Sequence, residues 1–260
     1  MGFMSYFKRV AVSLIPFLFI LRCNIPRDNI LDPKNSDSYR SHQIMIEAFV
    51  NTENPYPYNG YMLSALDSLL QLYKNQLFVA EYHRDTEDYQ SDYHLAENEI
   101  LYQTYLESLD ASLKGVPDVF IDGVVGRIQG ASSASSALFR LQEAILPLLS
   151  NISHFTIELD YRIENDRVTP IVTIARLGSN DASDLIIKAV LISKIDNGYH
   201  KRVVRRSVEG LDISPLKHGE IEKQTLPEIQ LNEQSDNQLI VYVAGKNNHV
   251  IYQSTSIQIQ

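Results

Sequence analysis

The chain has 260 residues, 44% of them hydrophobic, and a formal net charge of −9. That length allows one large domain or two of ordinary size, and the composition suits a packed structure rather than a disordered chain. The acidic balance argues against phosphate backbones as partners, so no nucleic acid is expected, and it would repel bare anionic lipid.

Lys8 and Arg9 precede an uncharged apolar run, Val10–Leu21, that contains Pro16. Its twelve residues fall short of the roughly twenty that cross a hydrocarbon core, so the run reads as an export signal. Cys23 follows at once. The arrangement resembles bacterial lipoprotein signals, in which the cysteine is acylated and becomes the first mature residue. Arg22 stands where such signals usually carry a small residue. The alternative is an uncleaved anchor over Met1–Leu21, with Cys23 an incidental thiol. Loss of residues 1–22 would leave 20 cations against 32 acids, a net charge of −12. Residues 24–40, NIPRDNILDPKNSDSYR, are rich in Asn, Asp and Pro and read, with Cys23, as a flexible tether. Asn24 after the cysteine resembles lipoproteins sorted to an outer membrane. The location expected is therefore the outer membrane, lipid-anchored, with the periplasmic or surface face left open.

Residues 41–150 alternate between period-two and helical patterns. HQIMIEAFV (42–50) reads as a strand. Met62, Leu66, Leu69 and Tyr73 then fall at helical spacing, with Ser64, Asp67 and Gln71 opposite. NQLFVAEYH (75–83) is a second strand, and Leu95, Tyr102, Leu106, Leu109 and Leu113 mark a second helical face. DVFID (118–122) and VVGRIQ (124–129) form a hairpin joined near Asp122-Gly123. Residues 131–149 make a last helix, capped by a serine near 132–133, with Ala137, Leu141, Ala144 and Leu148 on one face. The order β-α-β-α-β-β-α implies a four-stranded mixed sheet flanked by helices.

That order, with two short segments, resembles the thioredoxin-like fold. GVPDVFIDG (115–123) resembles the loop and strand that hold the family's cis-proline, here Pro117, preceded by Val116. The resemblance implies that Val116 offers backbone hydrogen bonds to an extended peptide. FVNTENPYPYNGYM (49–62) resembles the strand–helix junction that carries the family's Cys-x-x-Cys pair. With Phe49 as the aromatic ending the strand, Asn54 and Pro57 stand at the two cysteine positions. Thiol–disulfide exchange needs a thiolate and a sulfur partner, and neither residue supplies one. No catalytic residue is assigned. Tyr56, Tyr58 and Tyr61 cluster at the same junction and could form a peptide groove with Val116 and Pro117, or fill a vacated one.

After Ser150 the pattern changes to strands alone. Runs at 155–163, 168–177, 184–193, 200–208, 238–245 and 250–259, with a weaker one near 219–230, are separated by turn residues. Seven short strands at this spacing read as an antiparallel β-sandwich of immunoglobulin or fibronectin III kind over 151–260. The whole arrangement resembles the outer membrane protein 28-related family of bacterial lipoproteins, through HKRVVRRSVEGLDISPLKHGE (200–220) and the last hairpin. The resemblance implies a non-catalytic envelope protein that binds an unidentified envelope protein or glycan, or has a structural role. A client-peptide-binding accessory and an adhesin-like surface protein are the alternatives.

Other motifs carry less. The seven histidines show no metal-ligand spacing, so no metal or cofactor is expected. His83 with Glu81, Asp85, Glu87 and Asp88 reads as a solvated acidic loop. Ser132–Ser136 suit helix capping and lack Gly-x-Ser-x-Gly. KRVVRR (201–206) could bind anionic groups, or could protect an edge strand by charge.

Overall fold

A computed structural model describes residues 29–195, 201–231 and 236–259. The leader over 1–22, Cys23 and the first part of the tether lie outside the described residues. The remainder of the tether is not a free spacer. Asn29, Asp32 and Asn35 each accept, through a side-chain oxygen, the amide two residues on, at 2.9 Å. The composition that suggests flexibility is used in Asx turns instead. Ser38 is fully buried, and its hydroxyl accepts the Gly178 amide at 3.0 Å. β1 (Arg40–Ser41) then pairs antiparallel with β6 (Ile152–Ser153).

The chain combines an α/β segment with an all-β segment. The first holds β2 (Ile44–Val50), α1 (Tyr58–Leu72), β3 (Leu77–His83), α2 (Ala96–Ser108), β4 (Asp118–Ile121), β5 (Gly126–Gln129) and α3 (Ala134–Ile145). β2 pairs parallel with β3 and antiparallel with β4, which pairs antiparallel with β5. Element order and the parallel and hairpin pairings are those expected from the sequence, but the expected four-stranded sheet is part of a larger, eight-stranded one. Every residue of β2 is buried, as a central strand covered on both faces requires. Ile44, Ile46, Ala48 and Val50 face a core shared with Met62, Leu66 and Leu69 of α1 and Ala137, Leu141 and Ile145 of α3. The Ser133 hydroxyl caps α3 by accepting the Ser136 amide at 3.1 Å.

α2 is shorter than its leucine spacing suggests. Leu109 and Leu113 are 37% and 71% exposed, and Asp110 takes a positive φ of 49° just past the helix. The face that packs is Tyr102, Tyr105 and Leu106.

The second segment holds β7 (Phe155–Glu164), β8 (Arg167–Arg176), β9 (Leu185–Lys194), β10 (Val203–Ile213), β11 (Ile221–Thr225), β12 (Ile229–Gln230), β13 (Asp236–Gly245) and β14 (Ile251–Ile259). β7, β11 and β12 all pair with β8 in one sheet. β14-β13-β9-β10 form the second, and between the two lies a core of residues such as Val172, Ile174, Leu191, Val241 and Val243.

The two segments are joined. β10 pairs parallel with β3 at Val203–Glu81, so one eight-stranded sheet runs β14-β13-β9-β10-β3-β2-β4-β5. The outward face of β9 and β13 is covered over most of its length. Val190, Ile192, Ile240 and Tyr242 pack there on Met45, Phe49 and Tyr82. β13 is thus buried on both faces, which explains its unbroken apolar run LIVYVAG.

A carboxylate sits in this shared core. Glu47 has no exposed surface. Tyr105 donates to its Oε2 at 2.7 Å, while Tyr82 and Tyr242 donate to Oε1 at 3.1 and 3.3 Å. Burial pushes the Glu47 carboxyl up, and the Tyr105 hydroxyl is the strongest of the contacts that oppose it. Lys188 is pushed down, also by burial. One tyrosine comes from each of β3, α2 and β13, so the carboxylate ties the two segments together.

Candidate functional site

The Val116–Pro117 peptide bond is cis. Pro117 is buried and Val116 half-buried. Register fixes what lies nearby: Phe49 pairs with Asp118, so the chain leaving β2 and the chain reaching β4 through Pro117 share one end of the sheet. Residues 51–57 leave β2 there and lead into α1.

That junction is built from side-chain-to-backbone bonds. Asn51 Oδ1 accepts the Glu53 amide at 3.0 Å, and Asn54 Oδ1 accepts the Tyr56 amide at 3.0 Å. Asn59 Oδ1, at the start of α1, accepts the Asn51 amide at 3.2 Å. Pro57 is the residue before the first turn of α1, and its carbonyl accepts the Tyr61 amide. Asn54 and Pro57 therefore have positional roles at the junction. Tyr56 and Tyr58 are 59% and 47% exposed, and their rings stack with centroids 5.9 Å apart and planes at 18°. Tyr61 does not join them: it packs against the core beneath α1.

The 113–118 segment is held by side chains that sequence reasoning did not single out. The Tyr102 hydroxyl accepts the Gly115 amide at 3.0 Å and lies 2.9 Å from Asp118 Oδ2, to which it can donate. Asp118 receives the Arg127 guanidinium through both Nε and Nη2, and the same Nη2 donates to the Leu113 carbonyl at 2.7 Å. Arg84 lies over the Tyr102 ring at 3.5 Å and pairs with Glu99 at 2.7 Å. Burial pushes the Asp118 carboxyl up, opposed first by its hydrogen bonds from Arg127. Asp118 in turn raises Arg127. Arg84, Tyr102 and Arg127 lie 33, 15 and 10 positions from Pro117 in the sequence, so no local motif marks them. A polar residue opening an otherwise apolar strand, as Asp118 does, is the available hint.

Val116 itself is left open. Among the described residues, no hydrogen bond is made by its backbone N–H or C=O, although the neighbouring Gly115 and Pro117 backbones are both engaged. The site is thus a fixed loop with one free pair of backbone groups, at the same sheet end as two exposed, stacked tyrosines. Cys23 lies outside the described residues.

No family model matches the sequence, and no curated protein matches it. Solved structures do. The fold resembles that of HBP35 of Porphyromonas gingivalis. The TM-score is 0.61 at 13% identity, over 85% of this chain and 76% of that one. A protein of Agrobacterium tumefaciens, AGR_C_4864, matches with a TM-score of 0.54 at 13% identity, over 84% of this chain and 95% of its own. A domain of the outer membrane lipoprotein Omp28 from Porphyromonas gingivalis covers 42% of this chain at 12% identity, with a TM-score of 0.32. For HBP35 and AGR_C_4864, at these identities, the likeness is one of fold.

Other sequence candidates resolve differently. Glu81, considered with the acidic loop, is fully buried and lies 3.1 Å from Arg202 Nη2. His83 is buried, with Nδ1 3.2 Å from the Ser91 hydroxyl. No group of three or more His, Cys, Asp or Glu among the described residues could hold a metal ion. The 201–206 patch is not one surface. Lys201 and Arg202 pair with Asp67 of α1 at 2.6 and 2.8 Å, and β10 bonds to strands on both sides at Val203.

Proposed function

We propose that this protein is a non-catalytic envelope lipoprotein of the outer membrane protein 28-related kind, anchored through acylated Cys23. Its first half is read as a thioredoxin-like domain without redox chemistry and its second as an immunoglobulin-like sandwich. The first half holds an extended peptide segment of a protein partner at Val116, Pro117, Tyr56 and Tyr58. The observation that carries this reading is the free backbone N–H and C=O of Val116 on a loop fixed by Tyr102 and Arg127. A peptide laid across that loop would gain main-chain hydrogen bonds, with tyrosine faces for its side chains. The absence of sulfur at Asn54 and Pro57 supports holding rather than exchange. The lipoprotein-like leader, and Asn24 behind Cys23, support the envelope location.

The test is a peptide array probed with wild type and with Tyr56→Ala/Tyr58→Ala. The proposal expects discrete spots that fade in the double variant. Equal binding by both proteins, or none by either, removes the groove. Fatty-acid labelling of the wild type and its loss in Cys23→Ala tests the anchor.

A further inference from the structure

The other half of the 201–206 patch points to a second site. Arg205 and Arg206 are successive residues of β10, which a regular strand would send to opposite faces. They do not separate. Val204 pairs with Ile192 and Arg206 with Leu191, so Arg205 is an extra residue in a β-bulge. Bulges re-aim side chains and often adjoin functional sites. Here both arginines line one bay of about 320 Å³, with Tyr93, His94 and Gln230. Arg206 and Gln230 also line an adjoining bay of about 420 Å³, together with Arg167. These sizes match small-molecule clefts.

The charges are available. Arg205 lies over the Tyr93 ring at 5.4 Å. Among the described residues neither Arg205 nor Arg206 has a carboxylate partner, whereas Arg167 pairs with Glu228 at 3.3 Å. Among the described residues, exposed Asp92 and Glu228 are the acids that line the cleft. Two guanidinium forks without an ion-pair partner among the described residues thus share one concavity, on a chain of net charge −9. Guanidinium forks match phosphate oxygens in geometry and charge.

We propose that this two-bay cleft binds an organic phosphate ester, with Arg205 and Arg206 on the phosphate and the second bay receiving the ester group. The site is independent of the Val116 groove. The ester could be a free sugar phosphate or a phospholipid headgroup, and the test separates them. Calorimetry with glucose 1-phosphate and with glucose is run on wild type, Arg205→Gln/Arg206→Gln, and a control of equal charge change, Arg162→Gln/Lys223→Gln, whose side chains are exposed elsewhere. Flotation with vesicles containing phosphatidylglycerol is run in parallel. The expected result is saturable binding of the phosphate and not of glucose, weakened roughly tenfold or more in the cleft variant and unchanged in the control. Vesicle binding alone, lost in the cleft variant, assigns the ester to lipid. No binding to either probe, or equal binding by both double variants, overturns the proposal. Should the cleft variant melt early, Arg206→Gln, altering an exposed side chain, must show the same loss.

Discussion

Glu81 offers a sharp test of how the two segments are joined. Its carboxylate is fully buried beneath α1, 3.1 Å from Arg202 Nη2, and accepts the Lys201 amide at 3.3 Å. Asp67 draws on the same Arg202 guanidinium at 2.8 Å and takes the Lys201 ammonium at 2.6 Å. Burial is the largest influence and pushes the Glu81 carboxyl from 4.5 up to about 7; Arg202 opposes it without prevailing. A folded-state value above the unfolded one means that the folded protein holds the proton more tightly. Stability from this group is then fully present below pH 4.5 and is lost as the pH rises through 7. The rise corresponds to about 3 kcal/mol. Glu81→Gln replaces the acid with a neutral side chain of the same shape. Urea unfolding at pH 5 and at pH 8 should show the variant close to wild type at pH 5. At pH 8 it should be more stable by up to about 3 kcal/mol. A variant less stable than wild type at pH 8 would refute the reasoning, because the Arg202 pair would then outweigh desolvation.

Three further outcomes are expected. Tyr105→Phe removes a 2.7 Å hydrogen bond to buried Glu47 and should cost roughly 1.5–3 kcal/mol by urea unfolding, more than Tyr242→Phe, whose contact is 3.3 Å. Gly123→Ala should destabilise by at least about 1 kcal/mol, since Gly123 has a φ of +68° and an added Cβ would lie 2.0 Å from the His249 carbonyl oxygen. Insulin reduction by the purified protein should not exceed the no-protein rate; turnover above it would show that sulfur chemistry had been wrongly dismissed.

Much of the fold could be read from local pattern. Met62, Leu66 and Leu69 bury as their spacing requires, Ser133 caps α3, and Asp122 and Gly123 take the positive φ of a tight hairpin. The joining of the two halves was harder to see. LIVYVAG in β13 is apolar without alternation, the mark of a strand covered on both faces, yet pattern alone does not say what covers it. The partner is β2, nearly two hundred positions away, with Glu47 as the contact to Tyr242. Nor does spacing reveal that Asp67 of α1 will claim Lys201 and Arg202, leaving Arg205 and Arg206 for another task. That division depends on a bulge, and register is a tertiary property. At the candidate groove, Pro117, Tyr56 and Tyr58 stood out by type and position, whereas Arg84, Tyr102 and Arg127 act across folded distances.

Hydrogen exchange by mass spectrometry, with and without a peptide selected on the array, addresses the groove most directly. Bound peptide should slow exchange in the 113–118 loop, where the Val116 amide has no partner among the described residues, and in the 54–61 junction, with little change on β7 or β8. Protection confined to the second segment, or none at either loop under saturating peptide, would contradict the account.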